Sequence, residues 1–248
     1  MNKKSVGKTF MEETKYPNMV EESDKMKELP MPPLEKEYTG EGALIDLPEV
    51  KDIEVAKVDL TVAINQRESH RTFIDKSLTK EELSYLLWTT AGVKKVYKDR
   101  VTLRTVPSAG ASHPFETYLW INNVDGLDSG IYRYLSLSHQ LLPVSITDDL
   151  SEEMVRGCLG QEFVSDAAVL FIWVAIPYRT SWKYQERGYR YLHLDAGHVC
   201  QNLYLSAIAV NSGTCAIGAY DDDYMNQLLE LDGEEEFVVY LAPVGKIK

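Results

Sequence analysis

Residues 188–210 read GYRYLHLDAGHVCQNLYLSAIAV. At 3.6 residues per turn this stretch predicts one long helix, from about Gly188 to Val210. Leu194, Val199, Cys200, Leu203, Tyr204, Leu205, Ala207, Ile208 and Val210 fall on all of its sides, and a helix that is apolar all round has to be buried. A single thin domain cannot cover such a helix, so the pattern implies a central helix shared with a second subunit.

Just upstream, Ala167 to Ile176 is an apolar run rich in β-branched and aromatic side chains, which predicts a buried strand. The run is far shorter than the roughly 20 residues of a membrane helix. Pro177 to Arg187 is polar and is expected as a loop. Further outward, Thr79 followed by Glu82 forms a T-x-x-E capping box, and Leu83, Leu86, Leu87 and Ala91 recur at helical spacing before Gly92. Thr117–Asn122 is expected as a strand, and Ile131–Leu135 with Gln140–Val144 as a hairpin around SLSH. Helices are expected from Thr147 to about Leu159 and from the Asp221 cap through Leu229, with a last strand over Phe237–Val244. The class is α+β. Residues 1–57, rich in Pro, Glu and Lys, read as an extended N-terminal arm that wraps something, and 58–248 as the body.

The 248 residues can enclose a full core, and 44% hydrophobic against 26% charged residues is a globular balance. Lys and Arg number 26 against 38 Asp and Glu, a formal charge of −12, which repels nucleic acid and anionic lipid. Three cysteines, Cys158, Cys200 and Cys215, show no C-x-x-C spacing, so neither a disulfide framework nor a zinc knuckle is expected. That cysteine usage fits a reducing, cytoplasmic setting best, and the N-terminal lysines have no apolar stretch behind them, so no secretory signal or transit peptide is expected. There is no G-x-G-x-x-G, G-x-x-x-x-G-K-[ST], H-E-x-x-H or G-x-S-x-G. His193 and His198 stand five apart, off one helical face, so no metal site is expected.

Four elements offer chemistry. Arg67, Ser69 and Arg71 alternate, and in an extended chain period two puts both guanidiniums and the hydroxyl on one side. That is either a phosphate cradle or a solvated strand edge. Pro107 to Pro114 (PSAGASHP) is a run of small side chains between prolines. It permits either close approach by a flat ring with hydrogen-bonding edges or an ordinary tight turn. Around Gly218, TCAIGAY followed by DDD again allows close approach, or simply a capped strand-to-helix turn. Lys183 and Tyr184 can move protons, or sit inert on the surface.

In chain order, RESHRTF (67–73), LTKEELSYLLWTTAGV (78–93), RTVPSAGASHPFETY (104–118), SGIYRY (129–134), WKYQERGYRYLHLDAGHVCQNLYLSAIAV (182–210), CAIGAYDDD (215–223) and YLAPVGK (240–246) resemble the FMN-dependent nitroreductase superfamily, most closely its SagB-type branch, which includes azoline oxidases. The resemblance implies an α+β nitroreductase-like fold, a central mixed or antiparallel sheet flanked by helices, in an intertwined homodimer with two FMN sites at the interface. It implies that Arg67, Ser69 and Arg71 hold the FMN phosphate and ribityl chain or the pyrimidine edge, with Lys246 near the phosphate. Pro107, Ser108 and Ala109 would reach the flavin from the other subunit, Gln161 would approach the ring edge, and Ile217, Gly218 and Ala219 would line its other side. Lys183 and Tyr184 would assist proton removal. The implied activity is two-electron hydride transfer by ping-pong exchange. Three versions are open: a dehydrogenase acting on a small-molecule or peptide heterocycle, an NAD(P)H-dependent nitro or quinone reductase, and a non-catalytic flavin-binding partner in a peptide-modification complex.

Overall fold

The computed structural model describes residues 5–38, 42–98, 100–147 and 149–248. Its elements are α1 (Val6–Glu13), β1 (Ile45–Asp46), α2 (Leu60–Gln66), α3 (Lys80–Ala91), β2 (Val93–Tyr97), β3 (Val101–Arg104), β4 (Phe115–Ile121), β5 (Gly130–Leu135), β6 (Gln140–Ile146), α4 (Ser151–Gly157), β7 (Val169–Ala175), α5 (Tyr178–Tyr184), α6 (Gly188–Ala209), β8 (Ser212–Thr214), α7 (Asp222–Leu228) and β9 (Phe237–Lys246).

Every residue of β4 and β7 is buried, so both strands must be covered on both faces. They pair antiparallel with Leu119 opposite Phe171, and the full sheet runs β1-β6-β5-β4-β7-β9-β8 with antiparallel neighbours throughout. Side chains alternate across the pleat. Leu119, Ile121, Phe171 and Trp173 meet the core that contains Leu83, Leu86 and Leu87 of α3 and Leu192, Val199 and Leu203 of α6. Tyr118, Trp120, Leu170 and Ile172 face the second core, with Met154 of α4 and Met225 of α7. Each such fully buried aliphatic side chain contributes about 1.5–3 kcal/mol. The fold is α+β with helices on both faces of a large antiparallel sheet.

The capping box closes in both directions: Thr79 N donates to Glu82 Oε2 at 2.9 Å, and Glu82 N donates to Thr79 Oγ1 at 3.2 Å. At the other end of α3, the Trp88 indole packs so tightly across Gly92 that a Cβ there would come within 2.4 Å of it. Asp59 caps α2 by accepting from Thr61 N and Val62 N, and Asp221 caps α7 through Tyr224 N.

Three expectations need correction. The loop expected over Pro177–Arg187 is instead α5 followed by a 3-10 turn at Gln185–Arg187. Its Arg179 is buried against Glu116 at 2.5 Å, an ion pair that supplies the burial its sequence pattern does not. The helix expected from Thr147 to Leu159 is only α4, because Asp149 bonds Ser151 N at 3.0 Å and Leu159 turns to φ +55°; Asp148 lies outside the described residues. A β2–β3 hairpin also forms where no strand was expected. Its own chain leaves one side of α6 open, with His193, Leu194, Gly197, His198 and Gln201 exposed.

Residues 5–57 carry α1 and β1. Residues 1–4 and 39–41 of the expected arm lie outside the described residues. Arg190 Nε donates to Thr14 Oγ1 at 2.6 Å, Arg133 Nη2 to Glu37 O at 3.3 Å and Arg104 Nη2 to Leu34 O at 3.2 Å, so this segment is laid across α6 and the sheet by buried or half-buried guanidiniums. Among the described residues no helix is long and apolar enough to cross a membrane, and no group of three His, Cys, Asp or Glu could hold a metal ion. All three cysteines are free and buried.

Candidate functional site

Beyond α2 the chain runs extended, and Ser69 bridges to Thr214 of β8 in parallel sense. Two glycines fix this segment: the His70 ring lies over Gly213 and the Phe73 ring over Gly245, each where a Cβ would come within 2.7 Å. The Tyr204 hydroxyl of α6 accepts from Ala216 N at 2.8 Å and shares a hydrogen bond with Ser69 Oγ at 2.9 Å. The Arg67 guanidinium sits 5.3 Å from the centre of the same ring, a cation–π contact. One tyrosine therefore joins the cationic segment to the 214–219 turn. Gln161 reaches that turn too, donating from Nε2 to Ala219 O at 2.8 Å and to Cys158 O at 2.9 Å. Ile217 bridges to Leu241, while Gly218 and Ala219 are exposed.

A cleft of about 340 Å³ opens here, lined by Arg67, His70, Tyr204, Ile208, Asn211 and Lys248 among others. Among the described residues Arg67 and Arg71 have no ion-pair partner. Arg67 lines this cleft beside Glu68, while Ser69 and Arg71 are exposed on the same extended segment; two unpaired guanidiniums and a serine hydroxyl there supply the donor types an FMN phosphate requires. Lys246 is placed differently from the expectation. It is buried, its ammonium paired to Glu82 and donating to Val210 O at 2.6 Å, because a buried ammonium has to be neutralised and hydrogen-bonded. Lys248, which the sequence reading passed over, is the C-terminal lysine that faces the cleft.

The second group of candidates lies elsewhere. Ser108 Oγ donates to Asp195 Oδ2 at 2.6 Å and accepts from His113 N at 2.9 Å; Ala109 N donates to the same carboxylate at 3.3 Å. Asp195 is a buried carboxylate whose pKa burial pushes up, against the pull of these hydrogen bonds. The His113 ring, buried near Arg104, is pushed down to about 3 and is neutral. Gly110 takes φ +59°, and a Cβ there would come within 2.5 Å of Tyr184 Oη. The close approach expected from the small residues of this loop is thus used, at Gly110, by a tyrosine of the same chain. Lys183 Nζ donates to Gly110 O at 2.6 Å. Burial, and then the neighbouring Lys25, lower the Lys183 pKa.

Pro107–Ala109, Lys183 and Tyr184 are therefore brought together, and so are Arg67, Ser69, Gln161 and Ile217–Ala219. The two groups do not meet within one chain. Asp195 anchors one and Tyr204 the other; nine residues apart on α6, they stand two and a half turns and about 13.5 Å distant, on opposite faces of the helix. Asp195 and Tyr204 were not singled out as site residues in the sequence, although Asp195 falls within the LDAGH string (194–198) that carries the family resemblance.

The nitroreductase family pattern matches residues 64–246, and the chain belongs to that family. A Methanocaldococcus jannaschii protein named as a nitroreductase is 33% identical over 207 residues, covering 84% of this chain and 98% of its own length. The microcin B17-processing protein McbC of Escherichia coli is 28% identical over 135 residues, 52% of this chain and 49% of McbC, so the match spans about half of either protein. The trifolitoxin-processing protein TfxB of Rhizobium leguminosarum matches over 52% of this chain and 36% of its own length. Among solved structures, a nitroreductase from Ralstonia eutropha shares the fold with TM-score 0.68 and 24% identity over 89% of this chain and 99% of that one.

Proposed function

We propose that the chain is an FMN-dependent oxidoreductase of the SagB type, whose redox site is completed by a second copy of itself. The observation that carries this is the placement of two groups at opposite faces of α6: the unpaired cationic segment held by Tyr204 at one, and at the other the Ser108–Ala109 turn held by Asp195, to which Lys183 of α5 adds a bond at Gly110 O. Bound FMN would supply reversible two-electron hydride exchange. Arg67, Ser69, Arg71 and Lys248 hold the phosphate end, and Gln161 with Ile217–Ala219 borders the ring. Pro107–Ala109, stiffened by Asp195, approach from the partner subunit. Lys183 and Tyr184 serve the proton. The lowered Lys183 pKa raises the share of neutral amine able to accept one.

The names of McbC and TfxB, both peptide-processing proteins, support a heterocycle in a small molecule or peptide as the group oxidised. NAD(P)H is the donor for the reductive direction, and the two reactants use one site in turn. FMN titration with analytical ultracentrifugation tests the reading. One FMN per chain in a dimer is expected, with affinity at least tenfold weaker in the Arg67→Ala, Arg71→Ala double variant. A monomer that takes up no FMN refutes it. A dimer that binds FMN yet shows no saturable flavin reduction by NADH or NADPH and no substrate turnover leaves the non-catalytic partner role.

A further inference from the structure

A cleft of about 810 Å³ opens beside Lys183. Leu29, Pro30, Met31, Val101 and Trp182 give it an apolar lining, and Lys25, Glu28, Arg100 and Lys183 carry its charges. The N-terminal contribution is a built wall. Lys25 N donates to Trp182 O at 2.9 Å, and the Trp182 indole N–H donates to Leu29 O at 3.2 Å, so one tryptophan grips the turn at both ends. Leu29 N closes the turn on Asp24 O at 3.0 Å. Three cations against one carboxylate stand out in a chain of formal charge −12. Lys27, which points elsewhere, pairs with Asp24, whereas among the described residues Lys25, Arg100 and Lys183 have no ion-pair partner. Lys25 is close enough to depress the Lys183 ammonium, so the two charges share the space.

We propose that this cleft is the substrate subsite and that it selects an aromatic or heterocyclic ring bearing a carboxylate, the ring held by the apolar lining and the carboxylate by Lys25 and Arg100. The assignment of turnover to this subsite rests on the function proposed above; the binding preference does not. Lys25 and Arg100 are both exposed, so salt screens them, and the two contacts together give about a tenfold preference for an acid over a neutral ring of the same size.

The test is calorimetric titration of the FMN-loaded protein with 4-nitrobenzoate and with 4-nitrobenzyl alcohol, repeated for the Lys25→Ala, Arg100→Ala double variant. Tighter binding of the acid by about tenfold is expected, falling to about twofold in the variant and likewise in concentrated salt. Equal binding of the two probes, or a preference the double variant retains, overturns the proposal. If the protein takes up no FMN, the same titration on the protein as purified still reports the preference, so the flavin assignment and the subsite can fail separately.

Discussion

Replacing Tyr204 by Phe removes one oxygen and tests whether a single hydroxyl holds the cationic half-site together. The oxygen accepts from Ala216 N at 2.8 Å and shares a bond with Ser69 Oγ at 2.9 Å. Ala216 is half-buried and Ser69 is exposed, so water can partly replace the lost partners, and the two bonds together contribute about 1.5 kcal/mol. For a chain of this size that lowers Tm by about 4 °C. The Phe ring keeps its packing and most of its stacking with Arg67, so the core is not expected to loosen. The larger effect falls on the ligand: freed from Tyr204, the segment carrying Arg67 and Ser69 has to be ordered by the phosphate itself, which weakens FMN binding by about tenfold. Scanning calorimetry gives the first quantity and quenching of FMN fluorescence on titration the second. A variant with unchanged Tm and unchanged FMN affinity refutes the idea that this hydroxyl joins residues 67–71 to 214–219.

Lys183→Ala removes the amine 2.6 Å from Gly110 O while touching nothing in the cationic half-site. Heterocycle oxidation should be lost with FMN still bound, read as turnover against the flavin absorbance, and retained turnover removes Lys183 as the base. His113 gives a pH test. The unfolded ring takes up a proton near pH 6.5, whereas burial and Arg104 hold the native ring down to about 3; the unfolded chain therefore binds more protons between these values. Stability should rise with pH across that window and be lost on acidification below pH 6.5, with a slope from this group of at most about 1.4 kcal/mol per pH unit. His113→Asn, chosen because Asn tolerates the positive φ of 45°, should flatten the slope. Urea unfolding at about pH 5 and pH 7 measures it, and an equal slope in both proteins sinks the assignment.

What the sequence reveals follows the range of the forces involved. The capping box at Thr79 and Glu82 is legible because both partners lie three residues apart, and β7 is legible because burial on both faces demands an unbroken apolar run. Helix α5 is hidden because its support is distant: Arg179 pairs with Glu116, and Trp182 is clamped by residues 25–29. Tyr204 reads as one more apolar helix position, since its polar partner Ser69 is 135 residues away. The apolar content of α6 shows that it is central but not which side its own chain leaves open. Lys246 and Lys248 look alike in sequence; β9 carries the first into the interior beside Glu82, while the second follows the strand out to the cleft.

Because α6 presents one group of functional side chains at Asp195 and another at Tyr204, the ten residues from 195 to 204 act as a fixed phase between two places. Gaining or losing one residue there would swing one end by about 100° and slide it 1.5 Å relative to the other. Substitution in this span is tolerable wherever packing allows, but a change of length is not, and natural variants of the protein should conserve the spacing of these two positions more strictly than the identities between them.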